Sequence, residues 1–415
     1  MKLLIYIEQS EIFEKMVSHS QVNPGMGGTT YTALRLAFEL NNEYKFAKSN
    51  IKVSLLTKNY KEKYYQGMEV ININKLEKYF TDIFLITGDL IDILIDEKIK
   101  INTKRVLTWI RHPFDYDKIK KAKRLNSEIV SVGKAQYISN YLIAGKHHHI
   151  DNLFCAERIR KSAKLTYFLN NEIIKKNKYN KTFIIGYMGA LVPSKGFDQL
   201  AKQWLEIVKF CFYKNLNPRL EVIGGSNLYG FEENHPRLPT SYKYGNKLES
   251  FLQREINKTV FFHGTLNEER YELMKKCDIA IVNPEGRGEA FPASILEWMC
   301  LAIPVISSAK YGCYDAMRFN NSLIIKKPEE IKEKIKFYIS LKDDERNYLK
   351  DISYTIANYY SSKQNFIINQ WILLLKQNNK YINEYPSLYI LYKFFVEWLL
   401  EKPKFFLKEI IKKIQ

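Results

Sequence analysis

The sequence has few cysteines, and they form no recognisable pattern. Cys155, Cys211, Cys277, Cys300 and Cys313 are scattered, odd in number and include no C-x-x-C pair. This spacing argues against a disulfide framework and against a zinc site. It fits a reducing cytoplasm, which is the compartment that we expect for this protein.

Long apolar runs are also missing. No stretch of 18 or more apolar residues occurs, so we expect no transmembrane helix. The apolar part of the first eight residues is too short for a signal peptide and predicts a first strand instead. Apolar residues still make up 46% of the 415 residues, which is enough for packed cores and excludes a disordered protein. A chain of this length predicts two or three domains.

Negative charge is scarce relative to positive charge. The chain has 45 acidic residues against 64 Lys and Arg, a net charge of +19. Such an excess suits nucleic acid, an anionic membrane or phosphorylated substrates. Lysine far exceeds arginine, however, and Ile, Asn and Tyr abound, which is typical of an AT-rich coding background. The sequence has neither a basic helix-turn-helix nor an aromatic-basic strand motif, so we expect no nucleic-acid partner.

Strand and helix patterns alternate through the first half of the chain. This alternation predicts a parallel sheet with helices on both faces. A polar segment at 170–180 marks a linker, and a second half opens with an apolar strand at 182–188. The strands predicted in the first half are 2–7, 51–56, 83–87, 105–110 and 128–132.

An acidic loop between two buried strands is the most informative stretch. Apolar residues 278–282 predict a strand, a glycine-bearing loop with Glu289 follows, and Pro292 stands where a helix would open. Glu297 lies eight positions after Glu289, just over two turns along that helix. Ligands of open parallel sheets bind at the carboxyl ends of the strands, where a helix N-terminus favours an anion such as a diphosphate. The alternative is a solvated acidic loop followed by a solvent-facing Glu.

This pattern resembles the signature of the retaining glycosyltransferases of family 4. Glu289-x7-Glu297 and the strand that follows Pro304 carry the resemblance. It implies a GT-B fold, in which two Rossmann-like α/β domains face each other across a cleft, here with a C-terminal helical extension. It also implies that Glu289 contacts hydroxyls of the donor sugar and that Glu297 holds the nucleotide ribose. The predicted domains are an acceptor-side domain at 1–178, a nucleotide-sugar domain at 179–362, and helices at 363–415 that pack back on the first.

Further segments resemble the donor site of the same family. Lys195 and Gly196 match a segment whose cations neutralise the donor diphosphate, but Ala190 stands where the family has an arginine. Arg287 is our candidate substitute for that arginine. Pro292 replaces a common glycine and lacks an N–H, which leaves two neighbouring amides for the donor. The remaining predicted donor contacts are the amides of Phe291 and Ala293, the base-pocket residues His263 and Gly264, and the glycine-loop residues Gly27 and Gly28. For the glycine loop, a plain loop with a helix cap is an equal alternative.

Histidines and aspartates give the other candidates. Family members often carry a histidine at the place of His112, so we predict Glu289 and His112 as the catalytic residues; the alternative is a turn residue bonded to backbone. Asp115-x-Asp117 could hold a divalent metal, but a helix cap is the favoured interpretation. His147–His149 point in divergent directions and predict a solvated loop. No metal or cofactor is expected.

The sequence therefore predicts a retaining, metal-independent glycosyltransferase with a nucleotide diphosphate sugar as donor and a glycan or glycolipid as acceptor. Lipopolysaccharide or surface polysaccharide synthesis is the expected context. The alternatives are a sugar-nucleotide epimerase of related fold and a basic nucleic-acid-binding protein. The aromatic, lysine-rich segment 386–415 predicts either a helix in a membrane interface or one packed on the first domain. We expect a cytoplasmic protein, with peripheral contact to the inner membrane under the first interpretation.

Overall fold

The computed structural model divides the chain into two compact units. Among the described residues, the first contains Met1–Ser10, Leu36–Asn152 and Ile367–Lys376, and the second contains Glu11–Arg35 and Leu153–Phe366. The domain boundaries predicted from the sequence stay a prediction. The structure describes residues 1–41, 50–112, 116–164, 182–227, 230–317 and 320–376.

The first unit is built on an eight-stranded sheet with the order β3-β4-β2-β1-β5-β6-β7-β8. All neighbouring strands are parallel except β3 and β4, which form an antiparallel hairpin. The strands are β1 (Lys2–Tyr6), β2 (Lys52–Thr57), β3 (Tyr64–Tyr65), β4 (Met68–Asn72), β5 (Phe80–Ile86), β6 (Asn102–Ile110), β7 (Glu128–Ser131) and β8 (His147–His149).

The second unit is built on a six-stranded parallel sheet with the order β11-β10-β9-β12-β13-β14. Its strands are mostly apolar, and β12 and β13 are buried along their whole length, as parallel sheets covered by helices require. They are β9 (Thr182–Met188), β10 (Asn217–Ile223), β11 (Val260–Phe262), β12 (Ile279–Val282), β13 (Val305–Ser308) and β14 (Ile324–Ile325).

Helices follow most of the strands in both units. Within the described residues, none combines the length and the apolar character needed to cross a bilayer. The α-helices are α1 (Ile12–Lys15), α2 (Gly28–Asn41), α3 (Leu90–Asp96), α4 (Tyr116–Arg124), α5 (Lys134–Ala144), α6 (Ala156–Ser162), α7 (Phe197–Tyr213), α8 (Tyr242–Leu252), α9 (Arg270–Met274), α10 (Ala293–Met299), α11 (Tyr311–Met317), α12 (Ile331–Ser340), α13 (Asp343–Ser362) and α14 (Gln364–Leu375).

The last described helix packs on the sheet of the first unit. The Trp371 ring of α14 lies 4.9 Å from the Trp109 ring of β6, edge to face, and both rings are buried. Arg105 of β6 donates to the carbonyl of Leu374 at 2.6 Å, which satisfies one of the carbonyls left unpaired at a helix C-terminus. The buried side chains of α14 therefore pack against β6. The predicted membrane or packing role of 386–415 lies outside the described residues.

The three consecutive histidines form an edge strand, so the prediction of a solvated loop was wrong. His147 is buried; its Nε2 lies 2.6 Å from Ser131 Oγ, and its ring lies 4.5 Å from that of Tyr137. His148 contacts Glu128 at 2.8 Å. These contacts with the neighbouring strand and helix offset the cost of removing a polar ring from water. In the described part of the chain, no group of three or more His, Cys, Asp or Glu residues could hold a metal ion.

A glycine in β9, Gly186, allows α10 to pack closely on the second sheet. A Cβ added at Gly186 would lie 2.3 Å from Cη2 of Trp298, which is fully buried. The indole ring therefore occupies the space that any other residue at 186 would fill. This contact brings α10, which carries Glu297, directly onto the middle of the second sheet.

Candidate active site

Glycines line the carboxyl edge of the second sheet, where β9, β10 and β11 end. Gly224 has φ +130°, and a Cβ there would lie 2.1 Å from the carbonyl oxygen of Gly189. Its N–H donates to the carbonyl of Gly264 at 2.8 Å. Only glycine fits a position with that backbone conformation and that contact. The ends of three strands therefore meet backbone to backbone, which leaves main-chain groups rather than side chains at this edge.

The acidic loop after β12 is shaped by its first residue, Asn283. The Asn283 side chain accepts from the Gly286 N–H at 3.0 Å and donates to the Arg287 carbonyl at 3.3 Å. Gly286 has φ +70°, and a Cβ there would lie 2.5 Å from Ser308 Oγ. Arg287, our candidate diphosphate cation, is 69% exposed and lies 3.7 Å from Glu285. The loop is thus fixed at its base, and its arginine lies at the surface.

Two residues predicted for different parts of the donor contact each other. Lys195 ends a 3-10 turn after β9 and is only 7% exposed, and its Nζ donates to Glu289 Oε1. Gly196 follows with φ +74°, and a Cβ there would lie 2.7 Å from Cγ of Glu285. The lysine turn therefore rests directly on the acidic loop. A buried cation and a carboxylate meet beside the glycine edge.

Glu297, the predicted ribose ligand, is held by two residues that the sequence did not indicate. Its Oε2 accepts from Nε of Arg270 and from the hydroxyl of Tyr271, both at 3.3 Å. Burial raises the pKa of Tyr271 well above its ordinary value, so the phenol stays a neutral donor. Arg270 and Tyr271 share the buried face of α9 with Met274. The sequence signal that could have indicated this contact is the charged Arg270 on an otherwise apolar helix face.

The predicted glycine loop belongs to the second unit, although it lies early in the chain. The side chain of Asn23 accepts from the Met26 N–H at 2.8 Å and donates to the Met26 carbonyl at 2.9 Å. Gly25 has φ +76° and lies against the backbone of Leu266, 3.1 Å from where its Cβ would be. Gly27 and Gly28 then open α2 by accepting from the Tyr31 N–H at 3.1 Å and the Thr32 hydroxyl at 2.6 Å.

The remaining donor-site predictions fall near the ends of β11 and the start of α10. His263 follows β11, and its Nε2 lies 2.6 Å from Oε2 of the buried Glu221. Phe291 is buried, with its ring 5.3 Å from that of Tyr360. Ala293 is the first residue of α10. Each lies at or next to the carboxyl edge of the second sheet.

His112, the second predicted catalytic residue, belongs to the first unit. It follows β6, is exposed, and its carbonyl accepts from Nε2 of Gln136 at 2.9 Å. The position after a strand agrees with the sequence pattern. Its partnership with Glu289 stays a prediction.

The part of the chain that contains this site matches a family of known enzymes. Residues 170–355 match the family model described as Glycosyl transferases group 1. This match spans just under half of the chain and includes Lys195, Glu289 and Glu297. A comparison of the whole chain with curated proteins finds no significant sequence match.

Solved structures extend the likeness to nearly the whole chain. Anabaena Alr3699/HepE in complex with UDP-glucose is 13% identical with a TM-score of 0.60, and the alignment covers 91% of this chain and 100% of that one. A glycosyltransferase from Rickettsia africae is 15% identical with a TM-score of 0.58, over 92% and 99% of the two chains. An E. coli protein described as trehalose-6-phosphate bound with UDP-2-fluoro glucose is 13% identical with a TM-score of 0.60, over 91% and 99%.

These likenesses establish the fold. Two mainly parallel sheets covered by helices, with a long C-terminal helix, match the GT-B structures, so the predicted fold class is confirmed. Identities this low show the fold alone, because one fold hosts many activities. The chemistry has to be argued from the residues of the site.

Proposed function

We propose that this protein is a retaining glycosyltransferase that uses a nucleotide diphosphate sugar as its donor. One observation carries the proposal. At the carboxyl edge of a parallel sheet, Lys195 after β9 contacts Glu289 after β12, and Glu297 follows on α10; all three lie within the residues that match the group 1 glycosyl transferases. Ligands of open α/β sheets bind at that edge.

The reaction breaks the bond between the anomeric carbon and the diphosphate. Charge therefore develops on the leaving oxygen, and fixed donors that face it lower the barrier. Lys195 and the main-chain amides of the glycine edge supply these donors in our scheme. A buried ammonium gains electrostatic strength from its low-dielectric surroundings. Because Lys195 brings the positive charge, the scheme requires no metal ion.

Glu289 and His112 orient the donor sugar in this scheme. We assign Glu289 to hydrogen bonding with sugar hydroxyls and not to nucleophilic attack, because one of its carboxylate oxygens already accepts from Lys195. Two-carboxylate retention, as in hydrolases, requires a pair about 5 Å apart that flanks the scissile bond. Glu297 accepts hydrogen bonds from the ribose, and His263 and Gly264 line the base pocket.

UDP-sugars are the donors that we favour. The Anabaena and E. coli proteins of the same fold are described with UDP-glucose and UDP-2-fluoro glucose. We assign the acceptor, a glycan or glycolipid of lipopolysaccharide or surface polysaccharide synthesis, to the first unit. The corresponding location is the cytoplasm, with peripheral contact to the cytoplasmic face of the inner membrane, and no nucleic acid takes part.

A thermal-shift panel with UDP-, GDP-, ADP-, CMP- and TDP-sugars tests the donor assignment. A ligand at 100 times its Kd adds about 2.7 kcal/mol to the free energy of unfolding and raises the melting temperature. We expect one nucleotide family to do so in the wild type and to lose the effect in Glu297→Ala. Glu297→Gln is the matched control, because its amide oxygen still accepts from Arg270. The proposal would be overturned if no nucleotide sugar raised the melting temperature while DNA or RNA did.

A further inference from the structure

Arg270 uses all three of its guanidinium nitrogens within the second unit. Nε donates to Glu297 Oε2 at 3.3 Å, and Nη2 donates to the Tyr271 hydroxyl at 2.6 Å. Nη1 donates to the carbonyls of Asn23 and Asn267, both at 2.8 Å. The side chain is 5% exposed. One buried cation therefore contacts the predicted ribose carboxylate and the glycine loop at the same time.

The chemistry of this arrangement requires arginine. A guanidinium presents its donors in a fixed planar fork, whereas an ammonium is a compact point charge that cannot span the same partners. The Arg270 guanidinium carbon also lies 4.4 Å from the centre of the Tyr271 ring. A buried charge is tolerated when a countercharge and hydrogen bonds compensate its desolvation, and Glu297 supplies the countercharge.

The contacts on Glu297 are one-sided. Arg270 and Tyr271 both bind Oε2, and within the described residues no hydrogen bond to Oε1 is formed. The Glu297 side chain as a whole is 14% exposed. A carboxylate that is clamped by one oxygen presents the other in a fixed direction, which suits a pair of vicinal hydroxyls.

We propose that Arg270 is a positioning residue of the donor site. It clamps Glu297 through Oε2 so that Oε1 accepts from the ribose hydroxyls, and it anchors the glycine loop through the carbonyl of Asn23. Recognition of the ribose and placement of the loop then depend on one side chain. This inference rests on the proposed function, since it needs a nucleotide in the site.

The test compares the affinities of UDP and 2′,3′-dideoxy-UDP, measured by isothermal titration calorimetry on the full chain. Hydrogen bonds to a charged group contribute about 1.5–3 kcal/mol, so we expect the wild type to prefer UDP by roughly 10- to 100-fold. Arg270→Lys keeps the charge but loses the fork, and we expect its preference to fall below about 3-fold. Glu297→Ala should show the same loss.

Arg160→Lys is the matched control. Arg160 is another arginine of the second unit, with hydrogen bonds to the Cys300 carbonyl at 2.9 Å and to Asn358 at 2.8 Å and with its guanidinium 4.0 Å from the Tyr354 ring. It does not contact Glu297 or the glycine loop through any of these bonds. We expect Arg160→Lys to keep the wild-type preference. If Arg270 had only a structural role, Arg270→Lys would reduce the affinities for both ligands equally and leave their ratio unchanged.

The outcomes separate this inference from the proposed function. A wild-type preference that persists in Arg270→Lys overturns the positioning role and leaves the nucleotide site intact. A wild type that binds neither UDP nor any nucleotide of the panel overturns the proposed function. If Arg270→Lys does not fold, Tyr271→Phe removes the second donor to the same oxygen; a preference reduced about 3-fold supports the clamp, and an unchanged preference contradicts it.

Discussion

The carboxyl ends of the two sheets are built in opposite ways. In the first unit, partly exposed charged side chains lie after two of the strands: Lys58 after β2 pairs with Asp89 after β5 at 2.7 Å, the two being 37% and 39% exposed. In the second unit glycines follow β9, β10 and β11, and Lys195, in the turn after β9, is buried against Glu289. The same layered architecture thus supplies adjustable side chains in one unit and fixed main-chain groups in the other. Sheet topology decides where a ligand can bind, and the residues after each strand decide how.

Filling the glycine edge of the second unit should have the largest effect. Gly224→Ala places a methyl group on the Gly189 carbonyl at a backbone angle that favours glycine, and we expect a loss of more than about 4 kcal/mol. Urea unfolding measures the free energy, and hydrogen exchange of β9 and β10 localises the loss. Gly230→Ala is the control, because Gly230 has φ +72° with open space around it and should cost only about 1 kcal/mol. Equal costs would show that the glycine edge is not closely packed.

Two matched lysine substitutions test the difference between the buried and the exposed pair. Lys195→Met leaves Glu289 without its cation in a largely buried place, and we expect a loss of about 3 kcal/mol in the free energy of unfolding. Lys58→Met breaks a pair that water already screens, so it should cost less than about 1 kcal/mol. Chemical denaturation of both variants measures the two values. Equal losses would remove the contrast drawn between the two edges.

Acid should weaken the first unit through its buried histidine. Burial lowers the pKa of His147 to about 3 from an ordinary value of 6.5. Below pH 6.5, His147 therefore binds a proton in the unfolded chain but not in the folded chain. The free energy of unfolding falls as the pH falls towards 3. Between pH 6.5 and 5 we expect a loss of about 1.6 kcal/mol, because the slope rises to 1.36 kcal/mol per pH unit only once the unfolded histidine is fully protonated. Unfolding titrations at several pH values measure this slope.

The control for the acid effect removes the histidine together with its partner. The double variant Ser131→Ala, His147→Phe deletes both members of the hydrogen bond, which is close to neutral when shape is kept. We expect its stability to vary less between pH 6.5 and 5 than that of the wild type. An unchanged slope would show that another group causes the acid effect.

Local patterns in the sequence predicted much of the second unit. The strand at 182–188 agrees with β9 at both ends, and α10 begins directly after Pro292 with Glu297 on it. These features depend on apolar runs and on proline, which act within a few residues. The Lys195–Glu289 contact could be expected only in part, because each residue was assigned from its own segment.

What the sequence did not reveal depends on distant partners. Arg270 is buried because Asn23, 247 positions earlier in the chain, and Glu297 compensate its charge. The histidines of β8 are ordered by Ser131 and Glu128 on the neighbouring strand, which a count of consecutive polar residues cannot show. Burial of a polar side chain is decided by what it meets across the fold. The local periodicity of the sequence does not reveal these long-range contacts.

The contact between Gly186 and Trp298 limits which substitutions this sequence can accept during evolution. Any side chain at 186 would overlap the indole ring, so a larger residue there is tolerated only if position 298 becomes smaller at the same time. The two positions are expected to change as a pair in related sequences. Because Trp298 follows Glu297 directly, a substitution in the middle of a strand would move the carboxylate next to it. A mutation that looks conservative and lies outside the site would then alter it.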